Sequence, residues 1–308
     1  MDITKEYIAK SYAKLNLFLK ICDILPDNYH EVCTLLAKIN LFDTITITFN
    51  KRRSKFSPAS ISMFSDTGES IESVEHNLIL SAVMEILKLL EAQYGKQHYV
   101  IDLISRMRIK IQKRIPIGAG LGGGSSNAAT VIRFLYENLE HLTIKDIVLI
   151  SYKIGVDVAF FTRNYRCALG RHKGEKLIKL TPYYRYYAVI VCPNFSCNTS
   201  DVYQHFVLKK ADKTYDKKIL EMRNTPEIRK DFVFAIGNDL EKTAVLLYPE
   251  ISDILKTLAS TSAVYYSMTG TGSACFGLFV TERVALLEAK KLRKTRNNWS
   301  VYVSKVNF

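Results

Sequence analysis

The sequence predicts an α+β fold, on three observations. Period-two strand patterns and 3.6-period helix patterns are mixed along the chain without strict βαβ alternation. A chain of 308 residues, 48% hydrophobic and 24% charged, can bury one large or two ordinary cores without disulfide staples. A glycine-rich run at 118–124 lies between a strand pattern and a helix pattern, and so costly a loss of backbone order needs a reason.

Residues 7–24 read as an extended segment, with Leu15, Leu17 and Leu19 on one side. "DTITITF" at 43–49 is a strand, β-branched and alternating. The stretch 51–70 is a polar connection with room for one strand. "NLILSAVMEILKLLEAQYG" at 77–95 is a helix, with Asn77 as N-cap and Gly95 as stop. "MRIKIQKR" at 107–114 alternates as a half-buried strand, and the glycine run leads from it to a helix near 125–139. "TIKDIVLISYKIG" at 143–155 is a helix capped by Thr143 and ended by Gly155.

The second half begins with a buried strand, "YYAVIVC" at 186–192, and a short helix from "SDVYQHF" at 200–206. Helices follow at 238–250 and 251–260. "AVYYSM" and "ACFGLFV" are strands on either side of "TGTGS" at 269–273. A helix at 282–296 and a strand at 300–306 close the chain. The change of pattern sets a domain boundary near 160–180, dividing 1–170 from 171–308.

Composition excludes several classes. No apolar run reaches the roughly 18 residues of a membrane span. The first residues carry acids early and lack an apolar core, so neither a secretory signal nor a transit peptide is expected, and the chain reads as cytoplasmic. Cys22, Cys33, Cys167, Cys192, Cys197 and Cys275 form no C-x-x-C pair and read as reduced thiols. The net charge of +13 is spread over "KRR" at 51–53, "KK" at 209–210 and "KKLRKTR" at 290–296. It suits an anionic ligand, either nucleotide phosphates or a nucleic acid backbone.

The glycine run narrows this. It lacks the lysine of a G-x-x-x-x-G-K-[ST] loop. Gly118, Gly120 and Gly123 have G-x-G-x-x-G spacing, but "KRIP" separates strand from loop and no acid stands at a following strand end. What remains is another kind of phosphate cradle, built from Pro116, Ile117, Gly118, Ala119, Gly120, Leu121, Gly122, Gly123, Gly124, Ser125 and Ser126. Backbone N–H groups converge on an anion and the next helix adds the positive end of its dipole. Ser125, Ser126 and Asn127 supply polar heads, and Ala128 and Ala129 let the first turn pack closely.

"PIGAGLGGGSSNAA" resembles the signature of the GHMP kinases. "AKLNLFLKI" at 13–21, "DNYHEVCTLL" at 27–36, "GVDVAFF" at 155–161 and "TGTGSACF" at 269–276 follow the family in the right order, over nearly the whole chain. They are most similar to its branch acting on 4-diphosphocytidyl-2-C-methyl-D-erythritol. The resemblance implies a ribosomal-protein-like N-terminal domain, a ferredoxin-like C-terminal domain and an active site in the cleft between them. It implies transfer of the ATP γ-phosphate to the 2-hydroxyl of that substrate, in the non-mevalonate route to isoprenoid precursors. Magnesium comes with the ATP, and its protein ligands are unknown, with Ser126 a candidate. The partners implied are small molecules, with no nucleic acid and no membrane.

By the same resemblance, Asp157 is the catalytic aspartate and Lys14 its cationic partner, which keeps it ionised and stabilises the transferring phosphoryl group. Asn16 shares the strand face of Lys14 and hydrogen-bonds substrate hydroxyls. Tyr29 and His30 hold the cytosine ring, with Tyr203 on its opposite face and Thr199 in the same turn as Tyr203. Asn77 either approaches the adenine nucleotide or simply caps its helix. Three residues depart from the family pattern: Asn28 replaces glycine in a turn where asparagine tolerates positive φ, Val156 replaces alanine, and Ala159 replaces proline. Two other readings stand beside this one: a related kinase of mevalonate or homoserine, and a basic nucleic-acid-binding protein.

Overall fold

A computed structural model describes residues 6–50, 60–71, 77–207, 230–295 and 298–307. The basic runs at 51–53 and 209–210 and the end of the 290–296 run lie outside the described residues. The chain forms two compact units, each drawn from separated stretches. The first is Met1–Tyr12, Phe42–Ile115 and Gly122–Asn164; the second is Ala13–Leu41, Pro116–Leu121 and Tyr165–Phe308. Strand β1 (Tyr7–Ile24) starts in the first and ends in the second, and its hairpin partner β2 (His30–Phe49) does the reverse.

In the first unit the order is β4 (Ser70–Ile71), β3 (Ser60–Ser65), β5 (Met107–Lys113), then the end of β2. β3 runs parallel to β5, and the return between them carries α1 (Leu78–Tyr94) and α2 (Tyr99–Ser105). β5 alternates buried and exposed as its sequence predicts, turning Met107, Ile109 and Ile111 inward. Ile45 and Ile47 meet Ile111 and Ile109 in antiparallel register. Helix α1 buries Ile79, Ala82, Val83, Ile86, Leu87 and Leu90, one stripe at helical spacing. That stripe faces α3 (Gly123–Asn138) and α4 (Ile144–Ile154), and α5 (Val156–Thr162) packs on both of those. Thr143 and Asp146 form a reciprocal capping box at the start of α4.

The second unit continues from β2 through β11 (Trp299–Asn307), β8 (Arg185–Pro193) and β10 (Cys275–Phe279) to β9 (Tyr265–Met268). Every neighbouring pair in that row is antiparallel. The hairpin β6 (Cys167–Arg171) and β7 (Lys176–Lys179) pairs with β2, Thr34 opposite Gly170. Helices α6 (Thr199–Gln204), α7 (Lys230–Ile236), α8 (Glu241–Leu247), α9 (Glu250–Ala259) and α10 (Glu282–Thr295) complete it. Its core joins Leu19, Ile21 and Val32 to Val189, Val191, Ile254, Leu258, Phe279 and Leu292. Among the described residues no helix is long and apolar enough to cross a membrane. The six cysteines are free thiols, and burial pushes Cys167 and Cys192 up to about 12, which makes them inert.

Several elements differ from what the sequence pattern predicts, and α2, β6, β7 and α7 have no counterpart in it. β2 is a strand of 20 residues, because Val32–Ala37 is buried on both faces and shows no alternation. The unpredicted α5 begins directly at Gly155, which also ends α4 and hides the second helix behind the first. α3 starts at Gly123, two residues before Ser125. α8 starts at Glu241, just after a turn in which Asn238 Oδ1 accepts from Leu240 N at 3.0 Å.

Candidate active site

The Pro116–Leu121 leg of the glycine run belongs to the second unit. It is tied there by hydrogen bonds from Lys14 N to Leu121 O (3.0 Å) and from Ala274 N to Ala119 O (3.2 Å). Gly120 sits at φ 75°, and a Cβ there would come within 2.7 Å of the carbonyl oxygens of Thr269 and Gly272. Only glycine lets the two glycine-rich loops approach this closely.

At Gly122 the chain turns through a left-handed residue, φ 71°, and α3 begins with no side chain capping its N–H groups. A helix start without such a partner leaves donors and a positive dipole end for an anion. Gly124 is exposed and Ser125 half-buried at this start. Ser126 is turned inward: its hydroxyl accepts from Ser11 Oγ at 2.8 Å. Next to it Asn127 donates to Ser11 Oγ and to Asp43 Oδ2, both at 2.9 Å, and accepts from Lys113 Nζ at 3.1 Å. Asp43 pairs with Lys113 and also accepts the peptide N–H groups of Arg114 (2.8 Å) and Ile115 (2.9 Å).

Asn77 caps α1 through Oδ1, which accepts from Ile79 N at 3.0 Å. It also lines an open hollow of about 760 Å³ with Leu80, Ser81, Met84, Lys88 and Lys153. Of the two expectations for this residue, the structure shows the capping. Asp157 lies in the first turn of α5, half-buried, behind Gly155. The helix runs on regularly through the buried Ala159 where the family pattern has proline.

In the second unit, Lys14 and Asn16 lie side by side on β1, with Lys14 Nζ donating to Asn16 Oδ1 at 2.5 Å. Both are buried. Asn16 is held from three sides: its N–H donates to Thr269 Oγ1 (2.9 Å), its Nδ2 to Thr34 Oγ1 (2.8 Å), and Thr269 Oγ1 donates to its Oδ1 (3.3 Å). The 269–273 loop is fixed in turn by Asn238, whose Nδ2 donates to Met268 O (2.9 Å) and Gly270 O (2.8 Å).

The residues expected to hold a cytosine come together in part. The rings of His30 and Tyr203 are 5.2 Å apart, tilted by 41°, and Phe206 meets His30 edge-on at 5.9 Å. Burial lowers the proton affinity of His30 below its ordinary value. Thr199 Oγ1 lies 3.1 Å from Thr271 Oγ1, linking α6 to the second glycine loop. Tyr29 is exposed, with Lys173 Nζ 4.0 Å from its ring centre and paired to Asp27. Asn28 takes φ 62°, the left-handed turn its identity suggests.

Sequence reasoning misses Asp43, Lys113, Asn238, Phe206 and Lys173. For the first two a signal exists. Asp43 continues the inward alternation of Ile45 and Ile47, and Lys113 that of Ile109 and Ile111, so two charges stand where apolar residues are due. Lys173 lies in a stretch with no periodicity to mark it, whereas Phe206 and Asn238 stand at the ends of the expected helices 200–206 and 238–250, where a pattern marks the helix and not the contacts of its end residue.

Comparison with known proteins adds the following. The GHMP kinases N terminal domain matches residues 77–164, and the GHMP kinases C terminal domain matches residues 223–297. The chain is 32% identical over 296 residues to a 4-diphosphocytidyl-2-C-methyl-D-erythritol kinase of Chlorobium chlorochromatii, covering 93% of each. A protein of the same name from Francisella tularensis subsp. tularensis is 33% identical over 299 residues, 94% of each. The crystal structure of a 4-(cytidine 5'-diphospho)-2C-methyl-D-erythritol kinase superposes with TM-score 0.72 at 26% identity, over 98% of this chain and 100% of that one.

Proposed function

We propose, since the chain belongs to the GHMP kinases and within them to the 4-diphosphocytidyl-2-C-methyl-D-erythritol kinases, that it moves the γ-phosphoryl group of ATP onto the 2-hydroxyl of 4-diphosphocytidyl-2-C-methyl-D-erythritol. One observation carries the reading from the chain's own geometry: α3 opens at a left-handed glycine with no side-chain cap, directly after the glycine leg tied to residues 269–274. Such a start receives phosphate oxygens. Phosphoryl transfer asks for positioning and charge more than for covalent chemistry.

The roles follow. The N–H groups of Gly123, Gly124 and Ser125 hold the phosphate tail, and the hollow beside Asn77 takes the nucleoside. Lys14, kept in place by Asn16, balances charge on the phosphoryl group in flight. Asp157 accepts the proton of the attacking hydroxyl or holds that hydroxyl in line. His30 reads the cytosine edge, and Tyr203 and Tyr29 offer ring faces to it. Magnesium arrives with the ATP, held chiefly by phosphate oxygens, as this ion prefers in kinases. Among the described residues no group of three or more His, Cys, Asp or Glu side chains forms a metal cage.

The test is a phosphorylation assay with ATP, magnesium and 4-diphosphocytidyl-2-C-methyl-D-erythritol, beside mevalonate and homoserine. Turnover is expected with the cytidine substrate alone. Asp157→Asn should lower kcat by about 100-fold or more while the KM for ATP holds. Equal rates on mevalonate, or an unchanged kcat in that variant, defeat the proposal.

A further inference from the structure

We infer that Asp43 is a positioning residue for ATP, fixing both the peptide that leaves β5 and the first turns of α3 on one carboxylate. The inference rests on the reading that the start of α3 takes the phosphates. Asp43, Lys113, Asn127, Ser126 and Ser11 form one closed polar cluster, and none is more than 8% exposed. A buried ion pair is seldom worth more to stability than well-packed apolar residues of similar size. Both charges here occupy inward slots of otherwise apolar alternations. Stability alone does not explain them, whereas geometry does.

Both carboxylate oxygens of Asp43 are used twice. Oδ1 accepts the N–H groups of Arg114 and Ile115, the two peptides that follow β5. Oδ2 accepts from Lys113 and from Asn127 on the second turn of α3. The chain leaves the unit after Ile115 and returns at Gly122, so departure and return are referred to the same group. The cluster also supports the return from below: a Cβ on Gly123 would lie 3.4 Å from Lys113 Nζ and 3.0 Å from Ile115 Cγ2. Asn127 passes the constraint to β1 through Ser11, which donates to Ser126. Rotation of α3 about its axis, or a slide along it, breaks this set of bonds and redirects the N–H groups of Gly123, Gly124 and Ser125. A displacement of order 1 Å at such a site can cost about 100-fold in rate.

Two variants separate positioning from mere support. Asp43→Asn keeps one acceptor oxygen but sets an amide N–H₂ against the donors of Lys113 and Asn127. The double variant Asp43→Asn/Lys113→Met removes the stranded ammonium. Affinity for a non-hydrolysable ATP analogue with magnesium is measured by calorimetry, with thermal midpoint and steady-state kinetics on each protein. Asp43→Asn should weaken analogue binding and raise the KM for ATP by about 10-fold or more, leaving the acceptor KM within about twofold. The double variant should regain most of the lost thermal stability yet keep the weak ATP binding. Wild-type affinity for the analogue in the double variant overturns the role of Asp43, as does an equal loss for both substrates. A wild-type protein that binds no analogue defeats instead the functional reading beneath it.

Discussion

His30 shows how burial sets the working range of a single side chain. Packed against Tyr203 and Phe206, it loses hydration, and its imidazole takes a proton less readily than the ordinary value of 6.5. The neutral ring, with one donor and one acceptor, is the form suited to reading a base edge. The KM for the cytidine substrate should therefore stay flat as pH falls to 6.5 and rise only below it, while the KM for ATP does not follow. A rise centred above 6.5 contradicts this. The sign for stability is the same: the unfolded state binds the proton more readily, so folding loses this contribution as pH drops below that range. Tyr203→Ala should raise the acceptor KM by about 10-fold, as loss of roughly 1–3 kcal/mol of stacking implies. An effect confined to kcat argues against stacking. Residues with a motif around them, such as His30, Lys14 and Asp157, were open to nomination as candidates from the sequence. Asn238 was not, because its work lies in contacts to Met268 and Gly270, far away along the chain.

Among the elements, the glycine leg is the least tolerant. Gly120→Ala adds a methyl group 2.7 Å from two carbonyl oxygens, at a φ that side-chain residues rarely adopt. The variant should lose ATP affinity by about 10-fold or more while its far-UV circular dichroism stays near that of the parent. Unaltered nucleotide kinetics would show that the close approach has no part in binding. Elements with one wet face could be read in advance, as β5 and the α1 stripe illustrate. The capping pair at Thr143 and Asp146 is equally local and equally legible. β2 was not, since a strand covered on both faces shows no period. Neither was α5, whose seven residues follow a glycine that reads as a terminator.

For the whole molecule, class and family could be read from the sequence, but the assignment of chain to unit could not. The core around Ile254 and Phe279 takes Leu19, Ile21 and Val32 from the opposite end of the sequence. Leu19 also pairs with residues 237–239, through bonds of 2.9 Å to Gly237 O and 2.8 Å from Asp239 N. A chain ended at residue 180 should accordingly protect its first unit from protease yet be cut between residues 13 and 41, where the full chain resists. Resistance throughout the shortened chain runs against this. The order of synthesis gives that arrangement a consequence. Domains usually form as they leave the ribosome, earliest residues first. Here residues 13–41 emerge near the outset, but most of what covers them is translated last. The nascent chain must carry an apolar strand pair through the making of a whole other unit, and holdase chaperones would find their target there.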